Sequence, residues 1–121
     1  MTTPSGHTEA IRASRVIGTA VYNTEGQNIG TIEDVMLDKL SNNIMYAVIG
    51  FGGFLGIGEK YHAIPWSTLD YEKGRGGYVV PFSRDQLEAA PVHSIEELTG
   101  DDGKSVRDAS YEYYKVPPYW Y

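Results

Sequence analysis

From Arg15 onward, short β-branched or aromatic segments alternate with turn signals, the punctuation of an all-β domain. The pattern predicts strands near residues 20–22, 28–37, 44–51, 59–64, 69–72 and 77–81. Between them NTEGQ (23–27), KLSNN (39–43) and EKGRGG (72–77) supply the Asn and Gly that positive-φ turn positions need. Links of hairpin length make neighbouring strands antiparallel, because parallel pairing needs crossovers of about a dozen residues or more. In NIMYAVIGF both parities are apolar: Ile44, Tyr46 and Val48 on one face, Met45, Ala47, Ile49 and Phe51 on the other. Such a strand is covered on both sides, here by the C-terminal tail or by another subunit.

Past Pro81 the pattern changes to helix starts. SRDQ (83–86) and SIEE (94–97) fit the capping box, and SVRD (105–108) resembles it with Asp in the last position. Short helices are expected near 84–89, 94–98 and 105–114. The tail SYEYYKVPPYWY carries Tyr111, Tyr113, Tyr114, Tyr119, Trp120 and Tyr121, too much aromatic area to leave in water. It packs on its own sheet or on a sister chain, or it docks another protein. The chain thus divides into a flexible lead-in (1–13), a β domain (14–82) and a helical extension with an aromatic tail (83–121).

Composition narrows the chemistry. The 121 residues, 41% of them hydrophobic, suffice for one core and one domain. Cysteine is absent, which excludes disulfides, thiolate metal sites and cysteine nucleophiles. A net charge of −6 opposes the counterion release that drives nucleic-acid binding, so no nucleic-acid partner is expected. Most of the excess acid lies in residues 84–121. The polar opening MTTPSGHTEAIRAS lacks the features of a signal peptide, and the uncharged run from Ile44 to Gly58 falls short of the roughly 20 apolar residues a spanning helix needs. A cytoplasmic location without a transmembrane segment is expected.

The glycine-rich stretch GFGGFLGIGEKYHAIPWS (50–67) invites a phosphate-cradle reading and fails it. Gly53 and Gly58 have Walker spacing, but Glu59 stands where phosphate must go and the following hydroxyl is missing. The dinucleotide fingerprint fails too, because Leu55 occupies a required glycine position. Backbone geometry is the simpler role for Gly50, Gly52, Gly53, Gly56 and Gly58, as for Gly18, Gly26 and Gly30 in the earlier turns and strands. Phe54, Leu55 and Ile57 form an apolar patch that packs within the chain or meets a partner.

Alternation puts His62 with Lys60 and Ile64, and Tyr61 with Glu59 and Ala63. His7 and His93 lie far away with no ligand-like spacing, so His62 reads as a solvated or hydrogen-bonded strand residue, and neither metal nor cofactor is expected. Glu33, Asp34 and Asp38 read as a solvated strand face with Asp38 entering the turn, and Trp66 after Pro65 as a structural anchor.

The series RASRVIGTAVYNTEGQNIGTIEDVMLD followed by IMYAVIGFGGFLGIGEKYHAIPWSTLDY resembles the PRC-barrel family over residues 12–82. Ile17-Gly18, Val21-Tyr22, Gly26, Ile29-Gly30, Ile32 to Leu37, the glycine stretch and Ala63 to Ser67 carry the resemblance. This module occurs in the photosynthetic reaction-centre H subunit and in the C-terminal half of a ribosome maturation factor. The resemblance implies a small antiparallel β-barrel of about five to six strands and a binding or assembly role without catalytic residues. The chain looks like the small stand-alone bacterial members, since neither the membrane helix of the first protein nor the companion domain of the second is present in the sequence.

The resulting expectation is a non-enzymatic protein-binding or scaffold module acting as a homodimer, with a membrane-protein complex as another class of partner. Its candidate interface comprises Tyr46, Val48, Phe51, Phe54, Leu55, Ile57, Trp66, Tyr113, Tyr114, Tyr119 and Trp120. The alternative is a regulatory domain holding a small ligand in a groove lined by Tyr61, His62 and Trp66.

Overall fold

The computed structural model describes residues 10–50 and 60–120. Six strands form one mixed sheet: β1 (Ala20–Tyr22), β2 (Asn28–Leu37), β3 (Ile44–Gly50), β4 (His62–Pro65), β5 (Asp70–Glu72) and β6 (Gly77–Val79). Their order is β4-β3-β2-β1-β6-β5. A short helix α1 (Ala13–Val16) precedes β1, lying partly in the stretch expected as a lead-in, and a 3-10 turn at Trp66–Thr68 follows β4.

Sequential hairpins are antiparallel, as the short links require. The pairing of β1 with β6 is parallel, with Val21 opposite Tyr78 and Tyr22 opposite Val79, which corrects the all-antiparallel expectation. The reason is topological: these two strands are far apart in sequence, so β2 to β5 supply the long crossover that a parallel pair needs. The described strands form an open sheet, with β4 and β5 at its two ends, rather than a closed antiparallel barrel.

The register of β2 with β3 shifts between Ile32 and Asp34 and again between Met36 and Leu37. Bulges of this kind bend a strand and increase its twist. At the inner end of this pair the backbones come very close: a Cβ on Gly30, whose φ is +156°, would lie 2.4 Å from the Gly50 carbonyl oxygen. Only glycine fits there. Gly18 and Gly26 also adopt positive φ, whereas Gly50 does not, its requirement being space beside the Glu33 side chain.

The apolar residues of β3 enter two different cores, divided by face except at Met45, which alternation puts with Ala47 and Ile49 but which lies in the second core. Ala47 and Ile49 join Val21, Ile29, Ile32, Ile64, Leu69, Tyr78 and Val80 in the larger one. Tyr46 and Val48 join Met45, Ala63, Leu98 and Val106 in the second. The second cover is therefore the extension, through Leu98 of α3 (Ile95–Thr99) and Val106 of α4 (Lys104–Tyr114), whereas Leu87 of α2 (Arg84–Glu88) enters the larger core.

Local chemistry sets the helix starts. The Ser83 hydroxyl accepts from the Gln86 amide at α2, and Ser94 with Glu97 forms a full reciprocal capping box at α3. SVRD behaves differently from its expected capping role. Helix α4 begins at Lys104 after Gly103, and Ser105 lies inside it, donating from its backbone and hydroxyl to the Asp101 carboxylate. Among the described residues no helix is long and apolar enough to cross a membrane.

Candidate interaction surface

Helix α4 lies over β4 and closes the sheet edge there. The Ser110 hydroxyl donates to the Ala63 carbonyl at 2.7 Å, and the Tyr111 hydroxyl donates to the Met45 carbonyl at 2.8 Å. At the start of the same edge, Tyr61 and His93 exchange both backbone hydrogen bonds at 2.8 Å. The Tyr61 amide and carbonyl and the Ala63 carbonyl, which would help template another strand, are thus used within the chain. The opposite edge, β5, is three residues long and carries Asp70 and Glu72, the short charged form that resists edge pairing.

Beyond α4 the chain turns at Lys115, with φ +57°, and carries its aromatic residues back toward the β2–β3 hairpin. The Tyr111 and Trp120 rings meet edge to face at 4.8 Å between centroids, and Tyr119 and Trp120 at 5.2 Å. The Arg107 guanidinium sits 3.7 Å from the centroid of the Trp120 ring, a cation–π contact, and pairs with Asp108. The Tyr119 hydroxyl donates to the Asp38 carboxylate at 3.0 Å. Desolvation and the nearby carboxylate push the Tyr119 pKa up to about 12. Asp38 also accepts from the Leu40 amide, the bond that does most to hold its own carboxyl below the usual range.

This latch places half-buried aromatic residues beside exposed aliphatic ones. Leu37 is 60% exposed and Leu40 94%, on either side of the Asp38 that Tyr119 grips. The exposed Leu37 and Leu40 thus flank the residue that anchors the half-buried Tyr119 at the hairpin tip.

Of the residues expected at an interface, Tyr46, Val48 and Tyr114 are buried by other parts of the single chain. Tyr46 and Val48 lie under the helical extension, and Tyr114 packs on Phe82 at 4.4 Å between centroids. Trp66 is half-buried against the larger core, tilted on Tyr78, and Tyr113 is half-buried with its hydroxyl donated to the Gln86 carbonyl. Tyr119 and Trp120 are half-buried, packed on each other and on Tyr111. Phe51, Phe54, Leu55 and Ile57, with Gly52, Gly53, Gly56 and Gly58, fall outside the described residues. Leu37 and Leu40 escape the sequence reading because they flank a turn whose Asn and Asp give the stronger signal; a bare leucine in KLSNN is the one cue that could have found them.

The groove expected from Tyr61, His62 and Trp66 does not assemble as one lining, because β-alternation divides it. Tyr61 packs with the smaller core and Trp66 with the larger. His62 is 4% exposed rather than solvated, and burial, reinforced by the nearby His93, lowers its pKa to about 4. Near it, His93, Glu97, Gly100, Asp101, Ser105 and Val106 line a shallow depression. Glu97 there is flanked by His93 at 3.8 Å and Lys60 at 4.0 Å. Among the described residues no group of three or more His, Asp or Glu side chains is arranged to hold a metal ion. Glu33 and Asp34 are exposed.

Comparison with known proteins adds to this geometry. No curated protein matches the chain. Among solved structures, a putative 16S ribosomal RNA processing protein, RimM, from Pseudomonas aeruginosa is similar at 15% identity with a TM-score of 0.41. That match covers 69% of this chain and 50% of the other, so the chain spans about half the length of that protein. The PRC-barrel domain family model matches residues 8–87, a span that takes in all six strands, and the chain belongs to the PRC-barrel domain family.

Proposed function

We propose that this protein is a non-enzymatic protein-binding or scaffold module that acts in the cytoplasm as a homodimer. The observation that carries this reading is the hairpin tip, where Leu37 and Leu40, 60% and 94% exposed, flank the Asp38 that the half-buried Tyr119 holds. Exposed apolar area beside aromatic anchors is the composition of an interface centre. Both sheet edges are blunted, so the association uses side chains of this tip rather than added strands.

The non-enzymatic part rests on how the reactive groups are engaged. The hydroxyls of Ser110, Tyr111 and Tyr113 are donated to backbone carbonyls, that of Tyr119 to a carboxylate, and His62 is held neutral in the interior. These groups serve the fold.

A stable dimer buries on the order of 1,200 Å2 or more in total, with a few anchors carrying most of the energy. Sedimentation equilibrium of the wild type and of the Leu37→Ser, Leu40→Ser double variant tests the proposal, with circular dichroism establishing that both are folded. The dimer dissociation constant should rise by about tenfold or more in the variant. Equal association of the two proteins removes the hairpin tip from the interface.

A further inference from the structure

The connection between α3 and α4 is the most contorted backbone in the described chain. Asp101, Asp102 and Gly103 stand in succession with φ of 41°, 59° and 74°, and the two aspartates carry Cβ atoms in the left-handed region. Side chains other than glycine are held there only when the surroundings insist. Gly103 is fixed by two requirements at once, its left-handed φ and the crowding beneath it. A Cβ at Gly103 would stand 2.9 Å from both the Tyr46 hydroxyl oxygen and the Met36 Cε.

Past this hinge the chain forms one continuous clamp. Residues 104–120 reach the sheet through Ser110 to Ala63, Tyr111 to Met45 and Tyr119 to Asp38, and reach α2 and its approach through Tyr113 to Gln86 and Tyr114 to Phe82. Among the described residues, Gly100–Gly103 is the connection that leads into the clamp, and Gly100, Asp101 and Asp102 are exposed.

We propose that the homodimer forms by exchange of residues 104–120 between two copies, the hinge at Gly100–Gly103 extending so that each clamp seats on the other copy's sheet. This rests on the self-association proposed above and specifies its mode. An exchanged clamp repeats every contact it makes within one chain, so those contacts cancel in the balance between closed and exchanged forms. What remains on the favourable side is release of the left-handed backbone at two aspartates per chain, together with new contacts of the exposed Leu37 and Leu40 between the two copies. Opposing it are the ordering cost of association and the Asp101–Ser105 bonds, which lie at the exposed surface. Short strained hinges are where such exchange arises. Exchange also makes the hairpin-tip latch composite: Leu37, Asp38 and Leu40 come from one copy, and Tyr119 from the other. The second copy therefore completes the latch.

The chain has no cysteine, which permits a direct trap. Ala63→Cys combined with Ser110→Cys puts one thiol on the sheet and one on the clamp, at residues whose Ser110 hydroxyl and Ala63 carbonyl lie 2.7 Å apart. The dimer peak is isolated by size exclusion, oxidised, and run on a denaturing gel without reductant. Exchange predicts a covalent dimer that reductant returns to monomer. A dimer peak yielding only internally bridged single chains overturns exchange while leaving self-association intact, and absence of a dimer peak at every concentration overturns both. Asp101→Gly with Asp102→Gly provides a second test on a hinge that glycine tolerates without strain. Its dimer dissociation constant should rise about tenfold, and an unchanged constant overturns the role of the hinge.

Discussion

His62 gives the sharpest prediction about stability. It sits on β4 at 4% exposure with its pKa lowered from 6.5 to about 4, first by loss of hydration and then by the neighbouring His93. Lys60 and Glu97 lie on the His93 side of this corner, and Glu97 faces both. A folded-state pKa below the unfolded value means that the unfolded chain binds more protons between them. Stability contributed by neutral His62 is therefore present above about pH 6.5 and is lost as pH falls toward about 4. From pH 7 to pH 5 this separation corresponds to about 2 kcal/mol, of which screening by solvent at the neighbouring corner leaves roughly 1 to 2 kcal/mol. Urea unfolding of the wild type and of His62→Gln at both pH values measures it. The wild type should lose that much more stability than the variant, with unchanged m-values. Parallel losses in the two proteins would refute the placement of His62 as a buried neutral group.

The clamp over β4 makes two further predictions. Ser110→Ala leaves the buried Ala63 carbonyl without its donor and should destabilise the fold by about 1 to 3 kcal/mol, whereas Tyr111→Phe should cost about 1 kcal/mol through the Met45 carbonyl. Chemical denaturation reads both, and costs near zero would mean that α4 does not seat on the sheet. The stacking of Arg107 on Trp120 should appear as a coupling of about 0.5 to 1 kcal/mol in a double-mutant cycle with Arg107→Ala and Trp120→Ala, and additive losses would contradict the contact.

The parts of the fold that are legible in sequence are those written in local pattern. Strands β1 and β2 begin and end where alternation and turn residues set them, and Asn42, Gly26 and Gly76 take positive φ in the three turns that ask for it. The doubly apolar β3 implies two covers, and in the structure one of them is the helical extension that follows the strands. What is not legible depends on distance. The parallel meeting of β1 and β6 has no local signature, because strand direction within a sheet is decided by where the chain returns. Likewise, SVRD has the composition of a helix start, yet Asp101 and a left-handed Gly103 set the start of α4 earlier. Hydrophobicity alone marks the candidate interface in sequence, and burial redistributes it. Tyr46 and Val48 are apolar because α4 covers them, whereas Leu40 stands exposed in a turn among polar neighbours.

The measurement that bears most directly on the account is the solution mass of the wild-type protein by sedimentation equilibrium across a wide concentration range. The proposed self-associating module predicts a rise from the chain mass of 13.4 kDa to twice that value, with a plateau at the dimer. A mass that stays at 13.4 kDa at every concentration would contradict it.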